Sequence, residues 1–281
     1  MAGQPLLFRP VFGVTKPKNS TLGADVAGTV EAVGRDVTGF EPGDAVFGDV
    51  GGGSYAEYVI GHARHLIHKP AGVTFEEVAA VPVAGLTALQ FLRDIADVQP
   101  GQKVLVNGAS GGVGTYAVQI AKHMGTEVTA VTSTGNLEQA TALGADHVVD
   151  YTTEDVADLD ARYDVILDIG GLKNLRTCKK LLTPTGIYTL VGGSKNSWVG
   201  PIPRFLGGFV YFMFGSKRFG QHTAVSRSDD LAELGALLES GAIKSAIAAT
   251  YPVNEVGEQI DRQGTFHSRG KTVINVADSG W

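Results

Sequence analysis

Through the middle of the chain, short apolar runs alternate with stretches whose apolar residues recur at helical spacing. Lys103-Val104-Leu105-Val106 is an apolar run between Pro100-Gly101 and a glycine-rich turn, which predicts a buried strand. Behind the turn, Val113, Ala117, Ile120, Ala121 and Met124 mark one face of a helix, and Gly125 stops it. The pattern then repeats. A strand from Glu127 to Thr132 leads to a helix from Leu137 to Leu143, closed by Gly144. Strands follow around Val148-Val149 and over Asp164 to Asp168. A helix spans Leu172 to Leu182, with Pro184 and Gly186 after it, and a fifth strand runs from Ile187 to Val191. Strands alternating with helices predict a parallel, doubly wound α/β sheet.

The flanks have a different rhythm. Asp25 to Phe47 and Tyr55 to His68 hold short Val-rich runs broken by Gly34, Gly39, Pro42-Gly43 and Gly51-Gly52-Gly53, which predicts antiparallel β structure. The end of the chain returns to that style. It has a helix from Asp229 to Ser240, a strand from Ala248 to Val253, a helix from Val256 to Gln263 and a last strand from Lys271 to Val276. The doubly wound unit is therefore expected to be inserted in a second domain. The expected division is 1–86, 87–227 and 228–281, with the first boundary near Pro82 to Thr87.

Composition removes several function classes. Among 281 residues there is one cysteine, Cys178, so the chain has no internal disulfide and no thiolate-rich zinc site. A net charge of -6 argues against a general nucleic-acid binder. The most apolar stretch, Phe205 to Phe214, is too short to span a bilayer, which takes about 20 residues. It predicts a buried helix or a subunit contact. The start of the chain lacks the design of a signal peptide, and a soluble cytoplasmic protein is expected.

The chemistry centres on Asn107-Gly108-Ala109-Ser110-Gly111-Gly112-Val113-Gly114. A strand precedes this turn and a helix follows it, the context in which glycines let backbone approach a pyrophosphate at a helix N-terminus. The turn predicts a dinucleotide. NAD-binding folds place Asp or Glu at the end of the next strand, about 20 residues on. Here Thr132-Ser133-Thr134-Gly135-Asn136 stands in that place, with no carboxylate until Glu138. Hydroxyls and an amide suit a 2′-phosphate, so NADPH is expected over NADH. Arg or Lys, the usual phosphate partner, is missing there. Ser133 and Thr134 could instead cap the helix that follows.

With these residues in view, the chain resembles the medium-chain dehydrogenase/reductase superfamily, in its zinc-independent quinone oxidoreductase branch. The matching stretches are Leu22 to Gly28, Pro42 to Phe47, Gly53 to Tyr58, Ala84 to Ala88, the glycine turn, Leu143 to Asp146 and Arg269 to Lys271. The resemblance implies a Rossmann-type domain inserted in a GroES-like β domain, a cleft between them, and a homodimer joined mainly through the Rossmann domains. It implies cofactor contacts at Thr87, at Ser110, Gly111, Gly112, Val113 and Gly114, and at Ser133 and Tyr151 beside the 2′-phosphate. It places Asp168 to Gly171, with Gly170, and Val191 with Gly192 near the nicotinamide. Arg269 and Lys271 would lie in a cofactor-proximal segment, although ordinary surface charge explains them equally well. Met1 matches a point inside the family's β domain, so that domain is expected to be N-terminally incomplete.

The zinc-dependent members carry Gly-His-Glu where this chain has Gly23-Ala24-Asp25. With that histidine absent and a lone cysteine, no zinc is expected. His62, His65 and His68 cluster, but solvent-facing positions explain them better than a metal. The leading expectation is an NADPH-dependent reductase of small-molecule quinones or α,β-unsaturated carbonyls. Tyr55, Tyr58 and the Phe205 to Phe214 stretch are candidates to line its apolar pocket, and no catalytic side chain is assigned. A non-enzymatic NADPH-binding protein and an alcohol dehydrogenase are the alternatives.

Overall fold

The computed structural model describes residues 22–172, 174–191, 202–263 and 269–276. They divide into two compact units, one running Thr87–Thr223, the other combining the chain up to Leu86 with the chain from Ala224.

The Thr87–Thr223 unit is built on a six-stranded parallel sheet. Its strands are β4 (Lys103–Asn107), β5 (Glu127–Thr132), β6 (His147–Asp150), β7 (Tyr163–Asp168), β8 (Leu182–Leu190) and β9 (Arg218–Gly220), ordered β6-β5-β4-β7-β8-β9. The chain winds outward from β4 to β6, returns beside β4 as β7, and winds outward the other way. The turn after β4 therefore lies at the point where the winding reverses, which is where open α/β sheets bind ligands. Val104, Leu105 and Val106 are fully buried on β4, as are Val128, Ala130 and Val131 on β5. Strands covered on both faces need such unbroken apolar runs. The helices of this unit are α3 (Gly112–His123), α4 (Leu137–Ala142), α5 (Leu175–Leu181) and α6 (Ile202–Phe212); earlier in the chain, α1 (Phe75–Ala79) belongs to the other unit and α2 (Pro82–Gln90) spans the boundary at Thr87.

Two details differ from the sequence reading here. β8 begins at Leu182 and runs through Pro184 and Gly186, where a helix end and a loop were expected. Its pairing with β7 shifts register between Tyr163 and Val165, and this irregularity admits the proline. β9 was not foreseen, because three residues carry no readable period.

The other unit holds β1 (Asp25–Thr29), β2 (Ala45–Asp49) and β3 (Leu66–His68) as an antiparallel sheet. Tyr55 to Tyr58 forms bends and Val59 to Gly61 is irregular, where strand was expected. The unit also contains α7 (Ser228–Glu239), β10 (Ile247–Pro252), α8 (Val256–Gln263) and β11 (Lys271–Asn275). Phe47, Ile67 and Pro70 pack on α7 at Gly235. β10 and β11 pair in parallel, not in the antiparallel style expected of this segment. The helix between them is what allows a parallel return.

Candidate functional site: a glycine turn tied to two neighbouring strand ends

Gly108 sits at φ +85°, and a Cβ on it would lie 2.9 Å from the backbone N of Gly170. A Cβ on Gly114 would overlap the Gly108 carbonyl and lie 2.8 Å from Ala109 backbone atoms. Backbone packs on backbone at both positions, and only glycine fits. Gly111 heads α3 with no side-chain cap, and the first turn of α3 holds no acidic residue. The contrast with α1 and α5 is clear, since Thr74 and Asn174 cap those helices. The free N–H groups of the first turn of α3 are thus left for an outside acceptor. Ser110, Gly111, Gly112 and Val113 are half-buried around that opening and Gly114 is buried beneath it. This cradle fits a pyrophosphate.

The turn is held from one side by Asp168, the last residue of β7. Its carboxylate is fully buried and accepts from five groups. Oδ1 receives Asn107 Nδ2 at 2.7 Å and the Gly171 N–H at 2.8 Å. Both oxygens receive the Leu172 N–H, at 3.0 and 2.9 Å. Oδ2 receives the Tyr188 hydroxyl at 2.6 Å and Arg204 at 3.0 Å. The Asn107 carbonyl accepts from the Ile169 and Gly170 N–H groups, and the Asp168 carbonyl accepts from Val191 N–H. The glycine turn, the loop at Gly170 and Val191 are therefore one stitched assembly across β4, β7 and β8. Burial, then the charge of Asp168, pushes the Tyr188 hydroxyl far above its ordinary range. Tyr188 stays protonated and donates.

The ends of β5 and β6 form a second cluster. The Tyr151 N–H bonds the Thr132 carbonyl, and the Tyr151 side chain is exposed. Asn136 Nδ2 donates to Ser133 Oγ at 3.0 Å, and neither Ser133 nor Asn136 makes a side-chain cap. Capping does not explain Ser133. Asp150 brings a carboxylate to this place, although the β5 segment itself has none. It accepts from Thr134 Oγ1 at 2.6 Å, from Thr152 Oγ1 at 2.7 Å and from the Thr152 N–H at 3.0 Å. Those bonds, Thr134 first, lower its pKa from the ordinary carboxylate value. Both threonine protons are committed to Asp150, so at this edge Ser133, Asn136 and Tyr151 remain to donate.

The other predicted positions fall elsewhere. Thr87 lies half-buried on α2, at the start of the unit that holds the glycine turn. Gly192 lies outside the described residues. Arg269 and Lys271 belong to the other unit, where Arg269 is exposed and Lys271 Nζ pairs with Asp25 at 3.1 Å. Asp25 also accepts from the Val83 N–H. In that unit a groove of about 1180 Å³ is lined by residues including Asp25, Tyr55, Tyr58 and Lys271. Burial, then Asp25, raises the Tyr55 pKa.

The donor set does not suit zinc bound by Cys and His. Ala24 replaces the histidine. The Cys178 thiol is buried on α5, donates to the Asn174 carbonyl, and is pushed up to about 12 by burial and then by Asp168. It is not a thiolate. His68 stacks on Phe40 and bonds the Gly39 carbonyl, while His65 bonds Arg64. Among the described residues no group of three or more His, Cys, Asp or Glu could hold a metal.

Residues 7–71 match the alcohol dehydrogenase GroES-like domain, and residues 143–274 match the zinc-binding dehydrogenase family. A mitochondrial NAD(P)H oxidoreductase of Mus musculus is 33% identical over 91% of this chain and 70% of its own length. The chain belongs to the medium-chain dehydrogenase/reductase superfamily, in its quinone oxidoreductase-like branch. A chloroplastic quinone oxidoreductase of Triphysaria versicolor is 31% identical over 89% of this chain and 78% of its own length. The solved structure of the quinone oxidoreductase from Coxiella burnetii superposes with a TM-score of 0.83 at 28% identity. That match covers 97% of this chain and 86% of the other. As a member of this superfamily the protein is an oxidoreductase with a Rossmann-type unit and a GroES-like domain.

Sequence reasoning found the glycine turn and the loops beside it. It missed Asp150, Tyr188, Arg204 and the side chain of Asn107. Arg204 lies 36 positions from Asp168, and no local pattern links them. The one available signal was the acid closing the apolar run Val165-Ile166-Leu167-Asp168, since a buried carboxylate requires donors.

Proposed function

We propose that this protein transfers hydride from NAD(P)H to a quinone or α,β-unsaturated carbonyl without using zinc, as a homodimer. The observation that carries the reading is the uncapped, glycine-lined start of α3 at the reversal point of the sheet, stitched to the ends of β7 and β8. When bound, the dihydronicotinamide supplies the hydride at its C4. The first-turn N–H groups at Gly112 and Val113 would take the pyrophosphate. Asp168 would keep the Gly170 loop and Val191 fixed against the glycine turn, so that the nicotinamide end is presented in one orientation. No side chain is assigned as general acid. A polarised conjugated acceptor needs only hydrogen-bond donors or solvent at its oxygen.

The cofactor preference follows from the β5–β6 edge. Ser133, Asn136 and Tyr151 retain donors for a 2′-phosphate, which favours NADPH. The Asp150 charge works against that phosphate. The expected outcome is a modest preference for NADPH, with NADH also accepted. The test follows cofactor oxidation with a panel of quinones and enones. Cofactor binding by folded protein, with no turnover of any acceptor, would refute the proposed reaction and leave a cofactor-binding protein in its place.

A further inference from the structure

The Asp168 carboxylate lies between a cation and the loop to which the proposed function assigns the nicotinamide. Arg204 and the Tyr188 hydroxyl hold Oδ2, at 3.0 and 2.6 Å. Oδ1 faces the loop and receives the Gly171 N–H and Asn107 Nδ2. The Asn107 amide packs under Gly170, where a Cβ would come within 3.1 Å of Nδ2. Gly170 itself is exposed, so a fully buried carboxylate stands just behind an open loop. Fixing two turns together does not by itself require a charge. Neutral side chains do such work elsewhere in the chain, as Thr74 and Asn174 do at the starts of α1 and α5.

Among the described residues this network holds one negative and one positive group. Burial, then Asp168, keeps Tyr188 protonated, and the same two causes push the neighbouring Cys178 thiol up to about 12. Arginine is always protonated in proteins. The pair therefore carries no net charge, but it is oriented. Its negative end faces the Gly170 loop and its positive end lies on α6. An oriented pair in a protein interior acts on nearby charge more strongly than the same pair in water.

Loss of hydride from a dihydronicotinamide leaves a cationic ring, while the phosphates and riboses are unchanged. A negative end presented at the loop therefore distinguishes the two redox forms of one cofactor. We infer that the oriented Asp168–Arg204 pair raises the affinity of the site for NADP⁺ relative to NADPH, and so makes the bound reduced cofactor a stronger hydride donor. Asp168 supplies the attraction for the cationic ring. Arg204, on the far side of the carboxylate, limits that attraction. Neither residue is catalytic in this role, since both act on the charge of the ring from behind the loop. The inference rests on the proposed placement of the nicotinamide end at Gly170 and Val191.

Fluorescence titration of the full chain with NADPH, followed by displacement with NADP⁺, gives the ratio of the two affinities. The titrations are run at pH about 8, above the ordinary carboxylate range. Arg204→Met leaves the negative charge alone and is expected to raise the affinity for NADP⁺ over NADPH by about threefold or more. Asp168→Asn leaves the cation alone and is expected to lower that ratio by about threefold or more. The double variant Asp168→Asn/Arg204→Met should fall between them. Arg204→Lys restores a cation and should return the ratio to within about twofold of the unaltered protein. Tyr188→Phe removes a donor but no charge and should leave the ratio unchanged. A purely structural role would weaken both cofactors together and move no ratio. The comparison of Arg204→Met with Arg204→Lys carries the test even if Asp168→Asn does not fold. One ratio across all folded variants, or a shift of the same sign in Arg204→Met and Asp168→Asn, would overturn the inference and leave the cofactor site in place. Failure of the folded, unaltered protein to bind either cofactor would overturn the proposed function and this inference with it.

Discussion

Replacing Asp168 by Asn keeps its shape and removes one acceptor and the charge. The amide oxygen, placed at the Oδ1 position, retains Asn107, Gly171 and a share of Leu172. The amide NH₂ then faces the Tyr188 hydroxyl and the Arg204 guanidinium. Tyr188 can rotate its O–H and accept. Arg204 cannot accept, and it is left largely buried without a counter-charge, its side chain 20% exposed. Removing one partner of a buried pair costs about 3–5 kcal/mol. With part of Arg204 in water and three of the five donor groups still served, the expected loss is about 2–3 kcal/mol. Urea unfolding followed by circular dichroism measures it as a lower midpoint at unchanged slope. Arg204→Met is expected to cost a similar amount by leaving the carboxylate short of its cation. The double variant Asp168→Asn/Arg204→Met removes both charges, and its loss should fall short of the sum by about 1 kcal/mol or more. A loss under about 1 kcal/mol in Asp168→Asn, or strict additivity in the double variant, would refute the view that this carboxylate binds the two turns together.

Four further outcomes are expected. Gly114→Ala forces backbone at Gly108 and Ala109 to move, so it should cost about 1–3 kcal/mol of stability and weaken NADPH binding at least tenfold in a fluorescence titration; undiminished affinity would count against the cradle. Asp150→Asn removes a charge beside the expected 2′-phosphate and should raise the NADPH-to-NADH affinity ratio by roughly fivefold, whereas a lower ratio would place the phosphate elsewhere. Asp146 is held below the ordinary carboxylate value of 3.8, where its bonds to Lys122 and the Val128 N–H outweigh burial. Its stabilisation is therefore complete above that ordinary value and is lost as pH falls through the lowered one. Melting curves between pH 3 and about 6 should show a shallower acid decline in Asp146→Asn, and an identical decline would remove this assignment. The Cys178 thiol, buried and pushed up to about 12, should resist a disulfide reagent at pH about 8 until urea unfolds the chain; prompt reaction of the native protein would contradict its placement.

The legible parts of this protein are those fixed by local sterics and by period. The start of α3 at Gly112, its stop before Gly125 at φ +78°, and the close of α4 before Gly144 at φ +98° all follow from residues within one turn of the event. Strands β4, β5 and β7 announce themselves as apolar runs because both faces are covered. The run Phe205 to Phe214 gave its helix but not its surroundings. A buried helix or a subunit contact was expected, and within the single chain α6 leaves one apolar side exposed, which removes only the first. Hydrophobicity states what a side chain avoids, not whether a neighbour is there to cover it. The same limit applies to β10 and β11, whose parallel pairing depends on the path taken between them.

The glycine turn was determined by the sequence alone, because φ values and backbone clearances are properties of a few adjacent residues. What surrounds it was decided by tertiary structure. Read in chain order, the end of β5 carries no acid, and pairing with β6 brings Asp150 to it. Arg204 reaches Asp168 only because α6 folds back toward the sheet beside β8. Charges and donors act through space over a few ångströms, and the residues that meet there are separated by 16 and 36 positions along the chain.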